Sequence, residues 1–236
     1  MSNTSFQFKQ FTIRHDKCAM KVGTDGVLLG AWAQVDSCKR VLDVGAGTGL
    51  ISLQLAQRNA NAEVIAIEID EAASQQASEN IAGSPWADRV KVICSDFRNF
   101  QTEDKFDLIV SNPPYFVDAL KCPDEQRRLA RHTGELNYEF LFSHSANLLE
   151  EQGRISVIIP SEVEKTVIDT AWKYKLFPYD RLCVYTKPGK PCRRVLLSFG
   201  FQERECIEEN LCIETVHHHQ YTPEYITLTK DFYLKM

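Results

Sequence analysis

The sequence predicts an α/β fold with a mostly parallel sheet, helices on both of its faces and an antiparallel hairpin at one edge. Three observations predict it. Strand-length apolar runs (Arg40 to Val44, Glu63 to Ile67, Val90 to Cys94, Phe106 to Val110) are separated by stretches long enough for crossover connections, and alternating β/α order calls for parallel pairing. A glycine-rich turn, Gly45-Ala46-Gly47-Thr48-Gly49, directly follows the first run. Two later runs, Leu182 to Tyr185 and Arg194 to Phe199, are joined through Lys187-Pro188-Gly189-Lys190-Pro191, a connection too short for a helical crossover and therefore a hairpin.

The chain has 236 residues, 44% hydrophobic and 25% charged, as expected of a globular protein able to bury a large core. One domain is expected over 1–236, divided into an N-terminal extension and helix (1–35), a catalytic core (36–200) and a C-terminal segment (201–236). No apolar run approaches the length of a membrane span, and the first residues lack a signal pattern. The eight cysteines include no C-x-x-C pair, which predicts reduced thiols in a cytoplasmic protein. A net charge of −5 argues against indiscriminate coating of nucleic acid, although local basic clusters can still grip phosphates.

In chain order, residues 6–15 alternate well enough for an extended segment or small hairpin. Thr24 and Asp25 precede the apolar stretch 26–33, where either can cap a helix and place a polar helix start beside a charged cofactor. Glycines at 45, 47 and 49 let the backbone approach a ligand closely. Their G-x-G-x-G spacing differs from the G-x-G-x-x-G of dinucleotide binders, and no Gly-Lys-Ser/Thr follows, so a phosphate loop is excluded. Leu50 to Ala56 continues as a helix packed on the sheet. Glu68 ends the second strand about 20 residues beyond the glycines, where an acid can hold a ribose diol. Asp70 caps the next helix, to about Ala82. Asp96 follows the third strand, where it can accept from an adenine amine while Phe97 or Ile69 packs on the ring. Each acid alone reads more readily as a cap or a solvated charge than as a ligand contact; their recurrence at successive strand ends points to one ligand site.

The fourth strand ends at Ser111-Asn112-Pro113-Pro114-Tyr115. Two prolines terminate its ladder and fix the direction in which the chain leaves. An Asn112 side-chain oxygen and the Pro113 carbonyl can accept the two hydrogens of a planar amine, which localises its lone pair on nitrogen. An aromatic at 115 can stack on a base. The polar stretch 116–136, with a helix-like piece around Asp124 to Arg131, reads as a substrate-contacting loop. A helix at 137–149, a strand from Arg154 to Ile159 and a helix from Pro160 to about Lys175 follow, and 224–236 reads as an amphipathic closing segment. Three basic clusters are candidate phosphate contacts: Lys9, Arg14, Lys17 and Lys21; Arg127, Arg128 and Arg131; and Lys187, Lys190, Arg193 and Arg194. His217-His218-His219 does not form a metal site on this reading, because consecutive strand residues point to opposite faces.

A glycine turn after strand one, acids after strands two and three and an amine-handling loop after strand four make an adenosine frame beside an acceptor site. The electrophile that fits is S-adenosylmethionine. On these motifs the chain resembles the class I S-adenosylmethionine-dependent methyltransferases, with their Rossmann-like fold. More closely, it resembles the bacterial tRNA1(Val) adenine-37 N6-methyltransferase family through His15 to Trp32, Asp43 to Gly49, Ser84 to Ala87, Asp107 to Tyr115 and Arg194 to Leu197. The resemblance implies a seven-stranded sheet, a tRNA adenine beside the anticodon as substrate, no metal and a monomer. It implies cofactor contacts at Thr24, Asp25, Asp43, Gly45, Gly47, Gly49, Glu68, Asp96, Phe97 and Asn112. It also implies catalysis at Asn112, Pro113, Pro114 and Tyr115, and the basic clusters make Lys21, Arg127, Arg128, Arg131, Arg193 and Arg194 the expected RNA contacts. Other planar nitrogens (rRNA adenine N6 or guanine N2, a protein glutamine amide) suit the same tetrapeptide. A non-catalytic RNA-binding module is the alternative outside catalysis, and a nicotinamide oxidoreductase conflicts with the glycine spacing.

Overall fold

The computed structural model describes residues 4–18, 21–113, 137–217 and 220–235. An N-terminal hairpin of β1 (Ser5–Gln7) and β2 (Thr12–Arg14) precedes α1 (Thr24–Trp32). Then come β3 (Arg40–Val44), α2 (Leu50–Arg58), β4 (Glu63–Glu68), α3 (Glu71–Ala82), β5 (Val90–Cys94) and β6 (Phe106–Ser111). The second half supplies α4 (Tyr138–Leu148), β7 (Leu149–Pro160), α5 (Glu164–Trp172), β8 (Phe177–Tyr185), β9 (Cys192–Gly200), β10 (Ile207–Cys212) and α6 (Pro223–Thr229).

Strands β3 to β10 form one sheet in the order β10-β8-β9-β7-β6-β3-β4-β5, in which only β9 runs against its neighbours. The expected class therefore holds, with eight strands where seven were expected. The hairpin β8–β9 is present but is not the edge, because β10 pairs in parallel outside β8. Four of the six residues of β10 are exposed and polar or singly apolar, so its sequence carries no buried-strand pattern; its place is fixed by backbone pairing. Within β7, the register jumps between Phe106↔Leu149 and Leu108↔Arg154. A Cβ at Gly153 would come within 2.7 Å of the Phe106 carbonyl oxygen, so the strand expected from Arg154 extends back to Leu149 through a bulge at Gly153.

Helices cover both faces. One core cluster gathers Phe8, Val27, Leu28, Leu53, Ile81 and Phe232 under the N-terminal hairpin, α1, α2, α3 and the C-terminal segment. The other gathers Phe106, Leu141, Phe142, Val167 and Phe199 under α4 and α5. Among the described residues, no helix is long and apolar enough to cross a membrane.

The chain winds outward from β3 to β4 and β5, then returns to lay β6 on the other side of β3. The strand order thus reverses between β3 and β6, and the crevice outside their C-terminal ends is where open α/β sheets take ligands. The glycine turn leaves β3 at that point and Asn112 leaves β6 beside it.

Candidate active site

The glycine turn is held from below by the neighbouring strand. The N–H groups of Gly45 and Ala46 both donate to the Ile67 carbonyl, at 2.9 and 3.0 Å. Gly47 N–H donates to Glu68 Oε2 at 2.7 Å, and Asp70 N–H donates to Glu68 Oε1 at 2.9 Å. Glu68 is buried, so its carboxylate sets the turn as well as standing at the strand end. Gly45 and Gly47 have φ of +74° and +54°, and a Cβ built on either would meet nothing within 4 Å. Their left-handed conformation excludes other residues, and the space above them is open. That space belongs to a cleft of about 300 Å³. Lys21 to Gly26 form one wall, Gly45 to Thr48 the floor, and Asn112 and Pro113 the far lip.

Several anchors around the cleft join segments distant in sequence. Ser111 Oγ donates to the Val44 carbonyl at 2.8 Å and ties the end of β6 to the end of β3. Asn80, buried on α3, donates from Nδ2 to the carbonyls of Thr48 and Arg14, each at 2.9 Å, and accepts from Arg14 N–H at 2.8 Å. Gln76 Oε1 accepts from Lys17 N–H at 3.0 Å. Together these side chains strap the N-terminal segment across the glycine turn and deliver Lys21 to Asp25 to the cleft wall. Burial, with the Glu68, Asp70 and Asp16 carboxylates, pushes the Cys18 thiol up to about 11 in that strap.

The helix-cap expectation is corrected by these positions, and three expected site residues are found with other partners. Neither Thr24 nor Asp25 caps α1: Gly23 occupies the cap position without a side-chain bond. Asp25 instead accepts from Arg194 Nε at 2.8 Å, so the guanidinium expected on RNA is engaged behind the cleft wall. Asp43 is fully buried and does not line the cleft. Its Oδ2 accepts from Ser52 N–H at 3.1 Å and Ser52 Oγ at 2.6 Å, which bolts β3 to the first turn of α2. Burial raises its carboxyl to about 7 against the lowering effect of Ser52, and its Oδ1 has no hydrogen-bond partner. Phe97 is buried against His144, with ring centroids 4.7 Å apart, and is a core residue. Of the two apolar groups considered for ring packing, Ile69 is the open one, at 60% exposure.

Asp96 does stand beyond β5, where it caps the 3-10 turn Phe97–Asn99 by accepting from Arg98 N–H. The Arg98 guanidinium also grips both carboxylate oxygens and holds Asp96 below the ordinary carboxylate range. Lys21 lines the cleft and Arg193 is exposed. Two other members of the basic clusters serve as surface ion-pair partners, Lys17 with Glu79 and Lys187 with Glu214. Pro114, Tyr115, Arg127, Arg128 and Arg131 lie outside the described residues, as does the expected 116–136 loop. Among the described residues, no group of three or more His, Cys, Asp or Glu is placed to hold a metal ion.

Residues 21–171 match the Methyltransferase small domain family. Across 239 aligned residues covering all of both chains, the sequence is 55% identical to the tRNA1(Val) (adenine(37)-N6)-methyltransferase of Bacteroides fragilis. Identity to the protein of that name from Haemophilus influenzae is 47%, over 98% of each chain. The chain belongs to this methyltransferase family. Solved structures agree at the level of the fold. A predicted O-methyltransferase from Agrobacterium tumefaciens superposes with a TM-score of 0.67 at 19% identity, covering 88% of this chain and 96% of its own. A glycopeptide N-methyltransferase complexed with S-adenosylmethionine gives 0.54 at 13% identity, covering 78% and 90%.

The residues of the cleft fit the donor that such folds employ. The open floor over Gly45 and Gly47 is a cradle that any Cβ would fill, Glu68 ends β4 beside it, and exposed Ile69 follows. Asn80, Ser52 and Arg194 are the participants that sequence reasoning missed as anchors. Ser52 carried a weak signal, being a polar residue in the first turn of a helix on a glycine loop. The other two had none, because their partners are remote in sequence.

Proposed function

We propose that this enzyme methylates N6 of an adenine in tRNA, adenine 37 of tRNA1(Val), with S-adenosylmethionine as donor. The single observation that carries the reading is the continuity of one cleft from the glycine turn at Gly45 to Thr48 to Asn112 and Pro113. The relatives' shared name supports the choice of substrate.

On this reading Gly45 and Gly47 give the donor backbone clearance, Glu68 meets its ribose, Ile69 packs on its adenine, and Thr24 and Asp25 face its charged end; Gly49 faces Ala77 and Ile81 of α3 instead, at 3.4 and 3.5 Å from a Cβ built on it. When bound, S-adenosylmethionine supplies a methyl group already activated by its sulfonium. The residues of the chain then have the task of placing the acceptor. Asn112 Oδ1 accepts one hydrogen of the target amine and the Pro113 carbonyl accepts the other, which draws the lone pair out of ring conjugation. Tyr115 stacks on the base at about 1–3 kcal/mol. Catalysis is then chiefly alignment. A loop adenine is the cheapest base to turn outward, since it gives up little pairing.

The reading is tested by isolating tRNA1(Val) from cells lacking the protein, digesting it to oligonucleotides and comparing the fragment that carries position 37 by mass spectrometry with that of the parent strain. N6-methyladenosine is expected to disappear from position 37 of tRNA1(Val); its persistence there would reject the assignment. For the grip on RNA, charge reversal at Arg127, Arg128 and Arg131 is expected to weaken tRNA binding and flatten its dependence on salt by about 0.7–0.9 in the log–log slope per lost phosphate contact. An unchanged slope would move the RNA to another surface.

A further inference from the structure

Arg194 lies on β9, which contributes no lining residue to the cleft. Its backbone is held on both sides, opposite Pro160 of β7 and Val184 of β8. From this rigid position its Nε reaches Asp25 Oδ2 at 2.8 Å, across 169 residues of sequence, and its Nη1 donates to the Arg193 carbonyl at 3.0 Å. Both side chains are largely shielded, at 29% and 24% exposure. A guanidinium held this way differs from the exposed, mobile cations that usually meet phosphates.

Asp25, in turn, lines the cleft wall that faces the glycine turn. Its backbone is fixed by close packing at the next residue, where a Cβ on Gly26 would come within 3.1 Å of Leu50 Cδ2 at the start of α2. Packing therefore sets where Asp25 stands, and Arg194 sets where its carboxylate points. An anion fixed on that wall is complementary to the ammonium group at the amino-acid end of S-adenosylmethionine.

We propose that Arg194 is a positioning residue for donor binding, acting through Asp25, and is not an RNA contact. The inference rests on the donor reading given above. A fork that donates from Nε is specific to arginine: lysine preserves the charge without the planar geometry. Its substitution is therefore expected to appear in donor affinity and to leave the electrostatics of RNA binding unchanged.

The test is a double-mutant cycle on the full chain, with S-adenosylhomocysteine binding followed by calorimetry for wild type, Asp25→Asn, Arg194→Gln and the double variant. Arg194→Gln is expected to weaken binding about tenfold, the scale of one charge-assisted hydrogen bond, and the double variant to bind no more weakly than Asp25→Asn alone. Fully additive losses would overturn the proposal. Arg194→Lys supplies a second readout: it is expected to lose donor affinity while keeping tRNA affinity and its salt slope at wild-type values. A Lys variant with wild-type donor affinity would overturn the planar-fork argument, and Arg194→Gln with a salt slope reduced by about one phosphate contact would return Arg194 to the RNA surface. Failure of the wild type to bind S-adenosylhomocysteine would reject the donor reading itself, whereas wild-type binding with additive losses would reject only the role of Arg194.

Discussion

The two lips of the cleft are built differently. The lip from β3 is tied down at nearly every residue. Gly45 and Ala46 hang on Ile67, Gly47 on Glu68, Thr48 on Asn80, and Asp43 beneath them grips Ser52. Among the described residues, the lip from β6 shows one side-chain tie, Ser111 Oγ to the Val44 carbonyl, after which Asn112 and Pro113 stand at the cleft. A lip woven into buried partners works as scaffold, and damage to it spreads into folding. A lip that only presents a side chain can lose that side chain and keep its shape. Stability and turnover should therefore separate between the two.

The largest expected effect is on the lip from β6. Asn112→Ala should lower methyl transfer by about 10²–10³-fold, as when a hydrogen bond that steers the transition state is lost. Donor affinity and Tm should stay close to wild type. A comparable fall in Tm would show that Asn112 is scaffold and erase the contrast. On the other lip, Asp43→Ala should cost about 2 kcal/mol in urea unfolding, because the buried Ser52 N–H and hydroxyl lose their acceptor. Donor affinity should fall with it, since α2 and the glycine turn share that bolt.

The acids at the ends of β3 and β5 sharpen the comparison through pH. Burial lifts Asp43 from 3.8 to about 7, so the folded state favours its protonated form. The stability this gives is fully present below about pH 4 and is lost as pH rises toward 7, after which the curve is level. Asp43→Asn should abolish that slope. Asp96 behaves in the opposite sense, because the Arg98 guanidinium holds it below its ordinary 3.8. Its contribution is present above that value and is lost as pH falls through the lowered one. Arg98→Gln should reduce this acid-side loss, a smaller effect because the pair faces solvent. If both variants shift the stability curve in the same direction, the surroundings inferred for one acid are wrong.

Much of this arrangement was legible before any coordinates. Strands β4 and β5 end at Glu68 and Cys94 because apolar runs stop there, and Asp70 caps α3 because an aspartate precedes a helix-forming stretch. The glycine turn and Asn112 share one cleft because strand order alone brings the ends of β3 and β6 together. What was illegible depends on contacts without a local pattern. Strand β10 joins through its backbone while its side chains face water. Arg194 finds Asp25 across most of the chain, so a basic run that looked like an RNA surface lost its most buried member to the cleft wall. Asp43 and Phe97 sit next to residues of the site in sequence, yet their side chains turn into the sheet and the core. Position along a strand end was visible; the direction and desolvation of each side chain were not.

The claim on which the rest depends is that the methyl donor occupies the cleft between the glycine turn and Asn112. A crystal structure with S-adenosylhomocysteine tests it most directly. The account predicts the ribose at Glu68, the ligand backbone over Gly45 and Gly47, and the sulfur facing Asn112. Well-defined ligand density elsewhere on the molecule, with this cleft closed by protein, would contradict it.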